Sequence, residues 1–502
     1  MNDAENCGSV IVDCAKRSAS QKRIRGHGLI LTAWIYLATL SSCMVGPNYQ
    51  PPRTQVPADW ACVPAIPATL AEKALARWWT LFKDPTLGSL VERAVQSNLD
   101  LKLAEARIRQ ARSATEIALS AIGPTVDANG TFRRNRSAGS SGVDNSHRTT
   151  AVIVNDYQAG FDAGWELDIF GGVRRGIEAA DADLQARVEA RRDVLVTLTA
   201  EVARTYIDLR ALQQRISIAR KNLAAQTHTA ELTRRRFQAG FVSALDVANA
   251  DAQIATTAAQ IPLLEASAQQ SIYSLSFLLG LEPAALNQEL SAASTIPPAP
   301  PATPLGLPSD LLRRRPDIRR AEAEIHAATA RIGVAAADLF PRFTISGSVG
   351  VRASDFGSWF DWARRFWSFG PSASWNVFAS GAIRANIEAQ QALQAQSLIT
   401  YRQAVLTALQ EVENALIASA KEADHRKALV EAVGANRKAV ALATRLYTEG
   451  QVDFLNVLNS QKSLYASEDA LVQSTGSVSI QLVALYKALG GGWSENADAA
   501  HN

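Results

Sequence analysis

Two hydrophobic periods divide this chain. Leu184, Val188, Arg191, Leu195, Leu198, Val202, Thr205, Leu209, Leu212 and Ile216 follow one another at spacings of four and three. Later, Leu398, Tyr401, Val405, Ala408, Val412 and Ala415 do the same. This is the heptad seam of a coiled coil, interrupted at the polar positions Arg191 and Thr205. No proline lies between Val173 and Ile261, and none follows Pro371. The pattern predicts a helix from Gly172 to Gln238, roughly 100 Å long at about 1.5 Å per residue. Gly240 ends it, as glycine does at a helix C-terminus. A shorter helix returns over about Ser243 to Leu279. The segment Asn98 to Ala121 has the length to stack end-on against the return helix and cover the remainder of the long one. The later half predicts the same arrangement: Gly381 to Glu449 long, Asp453 to Leu489 returning, and Asp317 to Leu339 completing it.

The second period is two. Tyr157, Ala159, Phe161, Ala163, Trp165, Leu167 and Ile169 alternate with Gln158, Gly160, Asp162, Gly164, Glu166 and Asp168. Phe343, Ile345, Gly347, Val349 and Val351 alternate with Thr344, Ser346, Ser348, Gly350 and Arg352. Such alternation predicts strands with one apolar and one polar face. Val126 to Arg133 and Phe369 to Val377 are weaker versions. Pro371 lies inside the last and argues for a strand end or an irregularity there.

The two halves are copies. Shifted by 210 positions, Gly160 to Gly280 falls on Gly370 to Gly490; Trp165 meets Trp375 and Leu279-Gly280 meets Leu489-Gly490. The best match runs from Arg235 to Val247 against Arg445 to Val457. Upstream, Asp100, Pro124 and Gly130 match Asp317, Pro341 and Gly347 at an offset of 217. The difference of seven residues falls in the polar stretch Ser137 to Thr150, expected to be a loop tip.

Composition narrows the partners. Aromatic residues are 7% of the chain and the net charge is +3, with no basic face for nucleic acid. Lys16 to Arg25 is basic and Leu29 to Leu40 is a 12-residue apolar run, too short for a bilayer but right for a signal-peptide core. Leu40-Ser41-Ser42-Cys43 follows. Loss of the leader removes Cys7 and Cys14; Cys43 and Cys62 remain, and Cys62 lies in a Pro-rich arm. No disulfide framework follows from that inventory. The six histidines are scattered without a metal-ligand spacing, and no Gly-rich phosphate loop follows a strand. No catalytic constellation, metal site or cofactor motif is found, and Arg234-Arg235-Arg236 reads first as a solvated helix face.

A soluble sheet with one wet face and an outer-membrane barrel both fit the strands. The Trp and Phe on the apolar face, with export, favour the barrel. Four strands cannot close one, and an open edge cannot sit in lipid, so the barrel reading requires oligomers; a trimer supplies twelve strands.

The Leu-Ser-Ser-Cys box resembles the bacterial lipoprotein processing site, which implies cleavage before Cys43 and its acylation. The chain as a whole resembles the TolC-like outer-membrane factors, of the lipoprotein branch typified by NodT and OprM. The resemblance rests on Cys43-Met44-Val45-Gly46-Pro47-Asn48-Tyr49 and on Trp78-Trp79 with Phe82-Lys83-Asp84-Pro85. It rests further on Leu307 to Arg319 and on the ending Leu485 to Trp493. It implies an α+β membrane protein: two repeats of long coiled-coil helices and four strands, trimerising into a 12-stranded barrel continuous with a periplasmic helical barrel. It implies a passive, non-enzymatic exit duct working with a periplasmic adaptor and an inner-membrane resistance–nodulation–division transporter. A duct for type I protein secretion and a lipid-anchored periplasmic scaffold without a pore are the alternatives.

On this reading residues 1–42 are the leader, 43–97 a lipidated arm and equatorial segment, and 98–282 the first repeat. Residues 283–308 are a linker, 309–493 the second repeat and 494–502 a tail. The adaptor is expected at the tips, Ala239, Gly240, Phe241, Val242 and Ser243 with Glu449, Gly450, Gln451, Val452 and Asp453. A gate is expected from Leu455, Asn459 and Lys462, spaced on one helix face, with Tyr447 bracing it. Two departures stand out. Val377-Phe378-Ala379-Ser380-Gly381 replaces the usual Leu-Phe-Asp-Gly-Gly, and Leu458-Asn459-Ser460-Gln461 lacks the acid that the family often carries near its gate.

Overall fold

The structure is a computed structural model that describes residues 44–61, 75–137, 152–300 and 308–494. The leader, Cys43, Cys62, the expected loop tip and all but the first residue of the tail lie outside the described residues. Two units are distinguished, a helical one and a sheet.

The helical unit opens with a 3-10 turn, Trp78–Phe82. It continues with α1 (Pro85–Ser97), α2 (Leu99–Ser120), α3 (Gly172–Gln238), α4 (Ala244–Leu278) and α5 (Asn287–Leu290). Then come α6 (Pro308–Arg314), α7 (Pro316–Ala337), α8 (Ala382–Thr448) and α9 (Phe454–Ala488). Helices α3 and α8 have 67 residues each, α4 and α9 have 35, and α2 and α7 have 22. The predicted ends hold within two residues, because glycine and capping residues fix them.

The end-on stacking is present in both repeats. Asn98 Nδ2 donates to the Leu278 carbonyl at 2.9 Å, and Ser97 Oγ to that of Leu279 at 2.6 Å. In the second repeat Arg315 Nη1 donates to the Ala488 carbonyl at 2.9 Å, the position equivalent to Leu278. The buried Arg315 also reaches Asp317 and, at 2.6 Å, Glu411 of α8. The Leu307 to Arg319 string therefore pins three helices at one point.

The seam holds in part. Leu198, Val202 and Leu209 on α3 and Tyr401, Val405, Ala408, Val412 and Ala415 on α8 are buried, whereas Leu184, Val188, Leu195, Leu212 and Ile216 are half-buried. Off the seam, Ala182, Ala186, Glu189, Val196, Ala200, Ala203 and Ile207 of α3 are buried as well. Helix α3 has neighbours on several sides, α2, α4, α7 and α9, so one stripe does not describe it. Helix α7 packs against both α3 and α8, which joins the repeats. At the mid-level Trp78 stacks on Tyr486 at 5.3 Å, amid Phe82, Leu87, Leu90, Tyr206, Ile207 and Leu275, all fully buried. Asp84 caps α1 through the Leu87 amide and accepts from the Tyr206 hydroxyl at 3.0 Å.

The arm is held by side chains from α3 and α7. Arg175, 2% exposed, donates to Asn48 Oδ1 at 2.6 Å and to Glu178 at 2.7 Å. Tyr49 stacks on His326 at 4.3 Å and donates to Glu322, and His326 Nε2 lies 3.0 Å from Glu178. Burial, and then the Glu322 carboxylate, raise the Tyr49 phenol above its usual range. Burial alone would raise the Glu178 carboxyl, but Arg175 and His326 outweigh it and hold it low.

The sheet has four strands in the order β1 (Thr125–Ser137), β2 (Val152–Leu167), β3 (Arg342–Ala353) and β4 (Arg365–Ser374). Strands β2 and β3 pair antiparallel from Tyr157 opposite Ala353 to Leu167 opposite Phe343. Strand β4 begins earlier than predicted, at Arg365, and keeps Pro371 within its run, opposite Ile345. It is the last strand of the sheet, where a missing N–H leaves no neighbour unserved.

Alternation gives the sheet two unlike faces. One carries Gln158, Asp162 and Glu166 beside Arg352, Ser348 and Thr344, and then Ser368 and Ser372. Its hydroxyls pair across strands, Thr344 with Ser372 and Ser348 with Ser368, each at 2.6 Å. The other face carries Phe161, Trp165, Val349, Trp367 and Phe369, and nothing among the described residues covers it: Trp367 is 80% exposed.

Candidate functional site

The two tips are built alike. At the end of α3 the Gly240 amide donates to the Phe237 carbonyl and the Phe241 amide to that of Arg236. At the end of α8 the Gly450 and Gln451 amides donate to Tyr447 and Leu446. This is the Schellman closure, whose glycine must take a positive φ, here 79° and 77°. Ser243 then caps α4 in a reciprocal box with Asp246; Asp453 precedes α9 without a side-chain cap. Ala239, Gly240, Phe241, Ser243, Glu449, Gly450, Gln451 and Asp453 are exposed, and Val242 and Val452 half-buried. Phe241, 75% exposed, is the largest apolar group on the first turn.

Behind the turns lies a small core of Ala230, Ala250, Ala443, Tyr447, Phe454, Val457 and Leu458. It joins the hairpin of one repeat to that of the other. Tyr447, 1% exposed, donates to Thr233 Oγ1 at 3.2 Å. Arg236 lies over the Tyr447 ring at 4.7 Å and donates to the Tyr447 carbonyl at 2.5 Å. Gln461 donates to Thr229 at 2.9 Å. Farther along, Arg215 forks onto Asp469 at 2.7 and 3.1 Å. The contact of α3 with α9 is thus a polar ladder along much of its length.

Leu455, Asn459 and Lys462 are all exposed, on the side of α9 away from that core; Leu455 is 54% exposed. Within the chain α9 packs through Phe454, Val457, Leu458 and Gln461 instead. Of the expected gate residues, only Tyr447 is drawn into the tip core.

The sequence reads Arg236, with Arg234 and Arg235, as a solvated helix face; its half-buried place over the Tyr447 ring corrects that, and Thr233, Thr229 and Gln461 are not singled out there as site residues. A signal was there: Thr229 and Thr233 fall, at the 210 offset, on Ala439 and Ala443. A polar residue in one copy against alanine in the other marks where the repeats face different neighbours.

Cys43 precedes the first described residue. Val45 donates to the Phe170 carbonyl at 3.1 Å, just past the end of β2, and Phe170 stacks on Phe340 at 4.6 Å. No helix among the described residues is long and apolar enough to cross a membrane. The membrane pattern is that of the sheet. Tyr157 to Leu167 spans about 34 Å along the strand, or roughly 25 Å of height at a tilt of about 45°, the apolar band of an outer-membrane barrel.

The chain is similar to known proteins over nearly all of its length. The family model for outer membrane efflux proteins matches residues 90–281 and again 307–491. Nodulation protein T of Rhizobium leguminosarum bv. trifolii is 31% identical over 462 residues, 92% of this chain and 97% of that protein. The pyoverdine export outer membrane protein OpmQ of Pseudomonas aeruginosa is 34% identical over 443 residues, 87% of this chain and 91% of that one. Among solved structures, the outer-membrane channel OprN superposes with a TM-score of 0.83 at 37% identity, covering 90% of this chain and all of that one. With its duplicated hairpins, its four-stranded sheet and these relatives, the chain belongs to the outer membrane efflux protein family.

Proposed function

We propose that three copies of this chain form the exit duct of a tripartite efflux system, passing small molecules received from an inner-membrane resistance–nodulation–division transporter through a periplasmic adaptor. The observation that carries this reading is the open sheet: β1 and β4 each end it, and its apolar face is bare. Three such sheets joined edge to edge make a closed ring of twelve strands with lipid outside and the serine-lined face inside. The helical unit is open in the same sense. Ile117, Leu263 and Phe277 on α2 and α4, and Ile399 and Leu406 on α8, are exposed by 63% or more. These faces suit a head-to-tail contact between copies. In mild detergent the protein is expected at three times the mass of the processed chain; the mass of a single chain would defeat the reading. A small-molecule cargo is favoured over protein by relatives such as the pyoverdine exporter.

The adaptor, in this reading, docks on the tips at residues 239–243 and 449–453. Two turns per chain in three chains offer six similar sites. The gate is formed by Leu455, Asn459 and Lys462, with Tyr447 holding the hairpins behind them.

Acylation of Cys43 belongs to the same proposal. Val45, two residues on, is hydrogen-bonded beside the strand ends, near the aromatic pair Phe170 and Phe340. The chain just after Cys43 is thus tied, through Val45, to the sheet end that a bilayer surface would meet. Labelled palmitate is expected in the wild type and absent from Cys43→Ser, while the variant still fractionates with the outer membrane. Incorporation that survives the substitution would overturn the assignment.

A further inference from the structure

The acids of the sheet are confined to one of its faces. Asn129 of β1 donates to Asp162 of β2 at 2.5 Å, so odd-numbered β1 residues share the polar face. Phe132 meets Tyr157 at 4.6 Å, so even-numbered β1 residues share the apolar face. By this parity the four acids of the strands, Asp127, Asp156, Asp162 and Glu166, are all on the polar face. Arg133, Arg342 and Arg352 join them there, and Arg352 forks onto Asp156 at 2.8 and 2.9 Å.

The apolar face has charges of one sign only. Arg134 and Arg136 of β1 fall on it by parity. Arg365 of β4 falls on it by register, opposite Val351, which is in turn opposite Ala159. All three are exposed, and none makes an ion pair among the described residues. They are grouped at one end of the sheet, the end of the β1–β2 and β3–β4 connections, away from the strand ends that lead to α2, α3 and α7. Aromatic residues lie just inside them. Phe132 is two residues from Arg134, and Trp367 two from Arg365, a step of about 7 Å along the strand. Arg365 itself lies 3.3 Å over the ring of Trp362.

Interfacial aromatic rings mark the level at which hydrocarbon gives way to headgroups. Cations on the lipid side of a strand are costly at mid-membrane and tolerated only near its surface. Bare guanidinium groups at that level, with no acid beside them, call for an anion from the lipid. A planar guanidinium matches the oxygens of a phosphate with two parallel hydrogen bonds.

We propose that Arg134, Arg136 and Arg365 form a binding site for the phosphate groups of outer-leaflet glycolipid. Lipid A is the ligand class, its acyl chains lying against Phe132, Trp367 and Phe369. The site rests on the trimeric reading, because β4 of one copy must lie beside β1 of the next to bring Arg365 near Arg134 and Arg136. One ring then holds three such sites.

The test uses the full-length protein purified from outer membranes. Lipid retained per assembled protein is measured by native mass spectrometry, and the assembled mass in the same spectra reports the trimer separately. Bis-phosphorylated lipid A is expected to bind, and the variant Arg134→Gln/Arg136→Gln/Arg365→Gln to hold at least about tenfold less. Replacing the same three by Lys should restore part of it. Lipid A stripped of phosphate should bind like the Gln variant, and millimolar inorganic phosphate should compete poorly. Undiminished binding by the Gln variant, or by dephosphorylated lipid, would overturn the site. So would displacement by free phosphate at the concentration that releases lipid A. A chain that appears only as monomer would instead fail the trimeric reading.

Discussion

A protein carrying both Gly240→Trp and Gly450→Trp is expected to assemble and reach the outer membrane, yet to confer no drug resistance on a strain lacking its own channel. Around Gly240 no atom lies within 4 Å of where a Cβ would stand, and around Gly450 the nearest is Arg236 Nη2 at 3.6 Å. The indoles therefore project outward, over the surface proposed to meet the adaptor. Each residue pays about 1–2 kcal/mol for a positive φ, a local strain that does not reach the Trp78 and Tyr486 core. The paired variant Gly240→Ala/Gly450→Ala has the same backbone strain with little bulk and should keep most of its resistance. Full resistance in the Trp protein, with a normal trimer, would remove the tips from docking.

The second large effect is expected from Leu455→Ala. Leu455 is exposed while its neighbours Phe454, Val457 and Leu458 are buried, so the substitution leaves the tip core intact. If three copies of Leu455 meet at a closed pore, each loses roughly 1.5–3 kcal/mol of apolar burial. The closed state should then leak. Single-channel conductance in planar bilayers should rise, and cells should become sensitive to vancomycin. Arg236→Ala should leak as well, by a different route: it frees the carbonyl of Tyr447 and uncovers its ring. Asn459 has no proton to lose, so its part in closure should not change between pH 5 and 8. Leu455→Ala with wild-type conductance and wild-type vancomycin sensitivity would place the gate elsewhere.

The sequence made the lengths legible. Glycines at 240 and 450, and the absence of proline from Val173 to Ile261 and after Pro371, fix where the long helices stop. The period of two set which strand residues share a face, and every registered pair from Tyr157 to Leu167 agrees with it. Lateral packing was less legible. The apolar seam of α3 is its buried line at Leu198, Val202 and Leu209, but α3 has neighbours on several sides, and residues off the seam such as Ala186 and Ala203 are buried too. Arg236 and Tyr447 are 211 residues apart, and no local pattern brings them together. The Leu307 to Arg319 string was informative as a mark of kinship. Its physical role, Arg315 tying the end of α9 to α8, depends on a carbonyl 173 residues away.

The unpaired edges of the sheet also constrain how such a protein reaches its membrane. A lone chain carries a row of unbonded amides and carbonyls along β1 and another along β4. Each such group costs several kcal/mol in hydrocarbon, so a single chain has no stable inserted state. Insertion therefore cannot precede assembly: the chains must meet before, or as, their strands enter lipid. Until then the same edges, with Trp367 and Phe369 beside them, are sticky templates for misdirected pairing. For a sheet with two open edges, insertion is thus a problem of timing, in which the order of pairing and entry into lipid matters as much as the final fold.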